Sequence, residues 1–139
     1  MKDNIIFDDS PFHAGERGVQ TKLGVRDIAE KLGRAMIRPF MPDQHREFFS
    51  TLSYVFVGIM DDDGLPWASI LTGDSGFIST LSSTQLQLNT SGKKDMIKQL
   101  IPGRSVGLLG IDLSTRRRNR VNGIVSSVAD NQGAMQVNI

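Results

Sequence analysis

The stretch YVFVGIMDDDGLPWASILTG, residues 54–73, decides the fold of this chain. Its first part, Tyr54 to Met60, is largely β-branched and aromatic on both faces, which is typical of a strand that is buried on both sides or lines a small barrel. The Asp-Gly pair that ends DDDG is a hairpin signal, and residues 65–73 return as the partner strand. The stretch therefore predicts an antiparallel hairpin in the middle of the chain.

More strands are predicted after the hairpin, and helices before it. The further strand candidates are TQLQLN from Thr84, SVGLLGIDL from Ser105, NRVNGIVSSV from Asn119 and AMQVNI from Ala134. A short helix is predicted around residues 94–100, and upstream the apolar spacing predicts a helix from Val25 to Met36 and another after Pro42. Helices followed by six short strands predict an α+β, mainly β fold whose strands form a sheet or a barrel.

The composition is that of an ordinary globular domain, with 139 residues of which 39% are hydrophobic and 22% charged. The chain has no cysteine, which excludes disulfides, thiolate metal sites and cysteine nucleophiles. It shows neither the apolar core of a signal peptide nor an apolar run long enough to span a membrane. We therefore expect a cytoplasmic protein with no membrane partner.

The net charge of +1 hides an uneven distribution of charged side chains. Residues 1–74 carry 8 basic and 12 acidic side chains, whereas residues 75–139 carry 8 basic and 3 acidic ones. This asymmetry indicates a local anion site in the second half rather than a generally basic surface for nucleic acid.

Two short motifs resemble functional sites but are better explained as loops. GDSG at residues 73–76 occurs around the nucleophile of trypsin-like proteases, but both histidines, His13 and His45, fall in the helical region and the chain is too short for that fold. DDDG lacks the spacing of a calcium loop and is expected to be a solvated hairpin turn. We therefore predict no metal site.

The stretch STRRRNRVNG, residues 114–123, places four arginines within five positions. Alternate residues of an extended strand share a face, and one face here would carry Arg116, Arg118, Arg120 and Asn122. Guanidinium groups beside an amide and a glycine suit bidentate binding of a phosphate. A charged edge strand that resists aggregation is an alternative, and nucleic-acid binding is a weaker one because aromatic residues do not interleave with the arginines.

The position of the single tryptophan, Trp67, allows two interpretations. Small and hydroxyl-bearing residues follow it, so it could form a platform where backbone amides meet a flat ring system. Alternatively, Trp67 lies in the core, which is more common for a lone tryptophan.

At the stretch around Trp67 and at residues 114–123, the sequence resembles the pyridoxamine 5′-phosphate oxidase-like, FMN-binding split-barrel family. The likeness is specific to a bacterial subgroup and extends, in order, along nearly the whole chain. Its motifs stand here as FHAGERGVQ from Phe12, LGVR from Leu23, FMPDQHREFF from Phe40, GLPWASILTG from Gly64, GF at Gly76, VGLLGI from Val106 and TRRRNRVNG from Thr115.

The resemblance implies a single domain over residues 1–139, with a helical segment at 1–52 and a six-stranded antiparallel split β-barrel at 53–139. It further implies that the C-terminal extension usual in the subgroup is lacking. The family forms homodimers that hold FMN in a groove between the subunits, and its arginine-rich strand also maps onto Arg117. The cofactor-binding residues that the resemblance implies are Trp67, Ala68, Ser69, Ile70, Leu71, Thr72, Gly76, Phe77, Ile78, Arg118, Arg120 and Asn122.

The resemblance implies less about activity. Oxidases proper have a basic residue at each end of the second strand, where Trp67 and Thr72 stand here, so oxidation of a pyridoxine phosphate does not carry over. We expect an FMN-binding flavoprotein, and interpret it as an oxidoreductase of unknown small-molecule substrate with no assigned catalytic residue. The alternatives are a module that binds a flavin or another phosphate ligand without turnover, and a degenerate member that serves as a dimerising scaffold.

Overall fold

A computed structural model describes residues 10–89, 99–128 and, for the backbone, 134–138. Contacts divide the chain between Pro39 and Phe40 into two compact units. The helix α3, described below, therefore belongs to the same unit as the strands. The assignment of residues 1–139 to a single domain stays a prediction.

The described residues of the first unit form two helices, α1 (Ala14–Lys22) and α2 (Arg26–Met36). His13 is the N-cap of α1, where its Nδ1 accepts the backbone N–H groups of Gly15 and Glu16. In return, the Glu16 carboxylate accepts the backbone N–H of His13, which completes a capping box. Helix α2 confirms the helix predicted from the apolar spacing.

The described residues of the second unit form one helix and one sheet. Helix α3 spans Asp43–Ser50 and follows Pro42, as predicted. The strands are β1 (Tyr54–Met60), β2 (Pro66–Thr72), β3 (Ile78–Ser82), β4 (Gln85–Asn89), β5 (Ser105–Asp112), β6 (Arg117–Val128) and β7 (Ala134–Asn138). Six of them confirm predicted strands to within two residues at each end. The helix predicted around 94–100 lies mostly outside the described residues.

Strand β3 is the one that the sequence pattern missed. It lies at the edge of the sheet, and of its five residues only Ile78 is buried. A short edge strand of mostly exposed serine, threonine and leucine residues lacks the regular apolar alternation that identifies strands in a sequence.

All strands belong to one seven-stranded sheet in the order β2-β1-β5-β6-β7-β4-β3, and each described neighbour pair is antiparallel. The long strand β6 pairs with β5 over residues 117–124 and with β7 from Ile124 onward, with a register shift between Val125 and Ser127. No pairing joins β2 to β3 among the described strands. The antiparallel α+β fold is confirmed, whereas the described sheet is open and a closed six-stranded barrel is not seen.

The core of the second unit lies between α3 and one face of this sheet. Alternate residues of β1, such as Val55 and Val57, are fully buried there. Gly110 of β5 allows α3 to approach closely, since a Cβ at this position would lie 2.6 Å from Leu52 Cδ1 and 2.9 Å from Phe48 Cε1. The opposite face of β2, β1, β5 and β6 is free of this packing, and we call it the open face.

Candidate functional site

A row of residues with small or no side chains crosses the open face. Ala68 of β2 pairs with Gly58 of β1, Gly58 pairs with Gly107 of β5, and Gly107 pairs with Asn122 of β6. Directly paired residues of an antiparallel sheet share a face. These four residues therefore form one continuous row across four strands, which we call the floor.

The floor lies in a groove of about 780 Å³ that is lined by residues 58–60, 66–68, 105–107 and 122–124. This volume is within the usual range for small-molecule sites. A Cβ built on Gly58 would have no neighbour nearer than 4.0 Å, and one on Gly107 would lie 3.4 Å from Asn122 Oδ1. The sheet could accept side chains at these positions, so glycine here leaves the backbone open to close approach by a flat ligand.

Exposed apolar side chains border the floor on both sides. Met60 and Ile124 lie toward one end of the strands and are 50% and 52% exposed, and Ile70 lies on the other side of the row. No residue that lines the groove has a titratable side chain. The groove therefore offers apolar contacts and backbone groups, and its own residues supply no acid or base.

A basic edge continues from the floor along β6. Arg120 and Arg118 follow Asn122 at alternate positions and are exposed on the same face, at about 7 Å and 14 Å along the strand. Neither guanidinium has a hydrogen bond or ion pair with any residue that the structure describes. Two arginines without an ion-pair partner among the described residues, beside an apolar groove, have the chemistry that an anionic group attached to an apolar body would require.

The acidic residue nearest to the arginines in sequence is already occupied. The Asp112 carboxylate accepts hydrogen bonds from the backbone N–H and hydroxyl of Ser114 and from the hydroxyl of Thr115. These bonds, that of Thr115 first, lower the pKa of Asp112 to about 2. The carboxylate thus holds the turn between β5 and β6 and does not neutralise the guanidinium groups.

The other two arginines lie in different surroundings. The Arg117 guanidinium lies over the Phe48 ring, 5.1 Å from its centroid, on the core side of the sheet. Arg116 precedes β6 in the turn, with a φ of +57°. The expectation that Arg116 shares the face of Arg118 and Arg120 is therefore wrong, because the extended backbone begins one residue later.

Trp67 lines the groove, but its ring belongs to the other side of β2. It pairs with the buried Ile59 and alternates with Ala68, so its indole points away from the open face. Its Nε1 donates to Asp61 Oδ2 at 2.6 Å. The backbone N–H of Leu65 donates to Asp61 Oδ1 at 2.7 Å. The hydrogen bond from Leu65, followed by that from Trp67, lowers the pKa of Asp61.

The other predicted residues of β2 divide by the alternation of the strand. Ile70 and Thr72 are exposed on the open face with Ala68. Ser69 is half-buried on the core side, and the Leu71 side chain is fully buried in the core. Leu71 could therefore offer a ligand only its backbone.

The predicted residues before and within β3 lie away from the groove lining. Gly76 is in a turn with a φ of +90°, where glycine avoids strain, and its N–H donates to Ser50 O. The side chains of Phe77 and Ile78 are buried in the core. The remaining predicted cofactor-binding residues have no side chain on the open face. The predicted residues that the structure does place on this face are Ala68, Ile70, Thr72, Arg118, Arg120 and Asn122.

Several groove residues were not predicted. Gly58 and Gly107 form the centre of the floor, and the apolar pattern predicts them only as parts of strands. An isolated glycine inside a strand pattern is a signal of close backbone approach, so the sequence did contain a signal for these two positions. Met60 and Ile124 had no such signal, because their exposure depends on which face the core covers.

The described residues offer neither a metal cluster nor a membrane-spanning helix. They contain no cluster of three or more histidine, cysteine, aspartate or glutamate residues that could hold a metal ion. None of the described helices is both long and apolar enough to cross a membrane.

Comparison with known proteins gives a likeness in structure alone. No protein-family model matches the sequence, and no curated protein matches it. A solved structure from Lactobacillus delbrueckii, of a proposed pyridoxamine 5′-phosphate oxidase, matches with a TM-score of 0.58 and 16% identity, over 75% of this chain and 93% of that one. At this identity the likeness concerns the fold.

Proposed function

We propose that this protein is a cytoplasmic, homodimeric flavoprotein of split-barrel type that binds FMN in the groove of the open face. The observation that carries the proposal is the floor, free of large side chains, beside two unpaired arginines on the same face. The fold shared with the proposed oxidase supports it. FMN combines a flat ring system with a phosphate at the end of a polar chain, which matches an apolar groove with a basic edge.

The residues of the groove fit such a ligand. Gly58 and Gly107 leave space above the backbone for a ring, and Asn122 can donate to or accept from its polar edge. Arg120 and Arg118 would hold the phosphate through charge-assisted hydrogen bonds. When bound, FMN supplies hydride or electron transfer, and the protein supplies binding, orientation and electrostatics.

The apolar border of the groove supports the proposed homodimer. Met60, Ile70 and Ile124 are all exposed around the floor, and contiguous apolar patches on a soluble protein mark interaction sites. A second copy that covers this face would also shield the bound ring from water. Light scattering on the purified protein tests the dimer, and Ile124→Asp should shift the mass toward the monomer.

A binding module without turnover is the second candidate. The described residues that line the groove have no titratable side chain, so the lining itself offers no acid or base to a substrate. An oxidoreductase that relies on the flavin alone and a flavin carrier both fit this lining.

The test begins with the absorption spectrum of the purified protein, which should show the visible bands of a flavin. Titration of FMN and of riboflavin into flavin-free protein should then show that the phosphate raises affinity. Reduction of the bound flavin by a nicotinamide donor would identify an enzyme, and a flavin that resists reduction would identify a carrier. Absence of FMN binding by folded, dimeric protein would contradict both and leave a dimerising scaffold.

A further inference from the structure

Two side chains that line the groove have hydrogen-bonding groups without a partner among the described residues. Asn122 of β6 and Ser105 of β5 both line the groove, and neither side chain has a hydrogen bond with any residue that the structure describes. The indole N–H of Trp67 already donates to Asp61. Among the described lining residues, Asn122 and Ser105 are therefore the side chains that can hydrogen-bond a ligand.

The Asn122 amide leans over the floor. A Cβ built on Gly107, its paired residue on β5, would lie 3.4 Å from Asn122 Oδ1. Ser105 belongs to the next row of the open face, where it pairs with Ile124. The floor runs from Asn122 to Ala68 over three strand spacings, which is about 14 Å. A flat ring that lies along the floor with one end at β6 therefore meets the amide with its edge.

An asparagine amide presents a donor and an acceptor side by side in one plane. A ring binds both groups at once when its own edge has an acceptor beside a donor, which is how asparagine and glutamine bind the edge of adenine in DNA. A ring N–H beside a carbonyl oxygen is an edge of this kind. An N–H between two carbonyls suits either orientation of the amide.

The surroundings of the amide also limit the charge of the ring. The described lining residues have no titratable side chain, so they offer no counter-ion to a charged ring, and burial of an unpaired charge is costly. Arg120 lies on the same face as Asn122, at about 7 Å along the strand. Its guanidinium would repel a cationic ring, such as a pyridinium or an oxidised nicotinamide. An uncharged ring avoids both costs.

We infer that Asn122 determines which ligand the groove accepts: a flat, uncharged ring that has an N–H beside a carbonyl oxygen on the edge facing β6. The inference rests on the proposed function, because the pyrimidine part of FMN has such an edge at its N3–H and the neighbouring carbonyls. It goes further because it names the residue that recognises this edge and the end of the groove at which the edge lies.

The test compares FMN with its N3-methyl analogue, which lacks the N–H. Both ligands have the phosphate, so the contribution of Arg118 and Arg120 cancels in the ratio of the two affinities. We expect the wild-type protein to bind the methylated ligand about 10- to 100-fold more weakly, because the hydrogen bond is lost and the Asn122 amide is left without its partner. Equilibrium titration followed by flavin fluorescence measures both affinities.

Removal of the amide should abolish this preference. Asn122→Ala should bind FMN about 10- to 100-fold more weakly than the wild type, and should bind the two ligands with equal affinity. Asn119→Ala is the matched control, because Asn119 is on the core side of the same strand, paired with Gly110; it should keep the wild-type ratio. If circular dichroism shows that Asn122→Ala is misfolded, Asn122→Val takes its place, since strands favour β-branched residues.

A pterin is the second probe, because it has a ring N–H beside a carbonyl but is not a flavin. Its affinity is measured by the same titration in the wild type and in Asn122→Ala. Binding of the pterin that depends on Asn122, in protein that does not bind FMN, would contradict the proposed function and support this inference.

Three results would overturn the inference. Equal affinity of the wild type for FMN and its methylated analogue would mean that the N–H edge is not recognised. An equal preference for FMN in the wild type and in Asn122→Ala would mean that another group recognises it. Folded protein that binds neither FMN nor the pterin would contradict both this inference and the proposed function.

Discussion

The two faces of β2, β1, β5 and β6 are built from the same segments, but one face is buried in the core and the other is exposed. On the core face, Val57 and Leu108 are almost fully buried against the rest of the second unit. On the open face, their chain neighbours Gly58 and Gly107 leave the backbone uncovered. Adjacent residues of one strand thus either pack in the core or line the groove, according to the side on which they point.

Under the proposed function, we expect that stability and ligand binding can be changed separately within single strands. A substitution on the core face should alter the free energy of unfolding and leave the groove intact. A substitution on the open face should alter ligand affinity and leave unfolding nearly unchanged.

The largest effect should come from Leu108→Ala on the core face. Removal of a buried leucine side chain costs about 2 to 5 kcal/mol, from lost burial and the cavity that remains. Urea denaturation measures the loss. Leu109→Ala is the matched control, since Leu109 is only half-buried and lies on the open face; an equal loss there would contradict the separation of the faces.

Gly58→Val should abolish most flavin binding without unfolding the protein. The strand has room for the side chain and favours a β-branched residue, so we expect stability to change by less than about 1 kcal/mol. The valine would occupy the floor and weaken FMN binding by about 100-fold or more, which corresponds to about 2.7 kcal/mol. Gly58→Ala should have a smaller effect. An unchanged FMN affinity in Gly58→Val would mean that the flavin ring does not bind in this groove.

Arg118→Ala and Arg120→Ala should each weaken FMN binding by about 10- to 150-fold. This corresponds to the loss of about 1.5 to 3 kcal/mol from hydrogen bonds to a charged group. Lysine at either position should restore affinity only in part, because it lacks the planar fork of arginine. Riboflavin is the matched control ligand: it has no phosphate, and its affinity should not respond to these substitutions.

Arg117→Ala should affect stability slightly and FMN affinity much less than the two arginines on the open face. Its guanidinium lies over the Phe48 ring, and such a contact contributes about 0.5 to 1 kcal/mol at an exposed site. Denaturation of Arg117→Ala, Phe48→Leu and the double variant would isolate the pairwise contribution. A large loss of FMN affinity in Arg117→Ala alone would mean that the faces of β6 are reversed.

The smallest effect should be a pH response at the turn between β1 and β2. Hydrogen bonds from Leu65 and Trp67 lower the pKa of Asp61 below its ordinary value of 3.8. Asp61 therefore stabilises the hairpin above pH 3.8, and this contribution is lost as the pH falls through the lowered pKa of the folded state. Fluorescence of Trp67, the single tryptophan, should change with a midpoint below pH 3.8 and lose that transition in Asp61→Asn. A midpoint at or above 3.8 would contradict the hydrogen bond.

Local patterns in the sequence were sufficient for most elements of the fold. The hairpin of β1 and β2 follows from the apolar run Tyr54–Met60 and the Asp-Gly turn, and α2 follows from its apolar spacing. These signals depend on neighbours in the chain, which a sequence contains. Strand β3 was missed because pairing with β4 at the sheet edge, rather than an apolar pattern, makes it a strand.

The chain order also placed Arg118, Arg120 and Asn122 on one face of a strand, because alternation is a local property. It could not decide where the face of each strand points. That Leu71 and Ile78 turn into the core, that Trp67 turns toward Asp61, and that Gly58 and Gly107 meet side by side all depend on the register between strands distant in sequence. Register is set by which residues the core can bury together, so the groove exists only once the tertiary structure has formed.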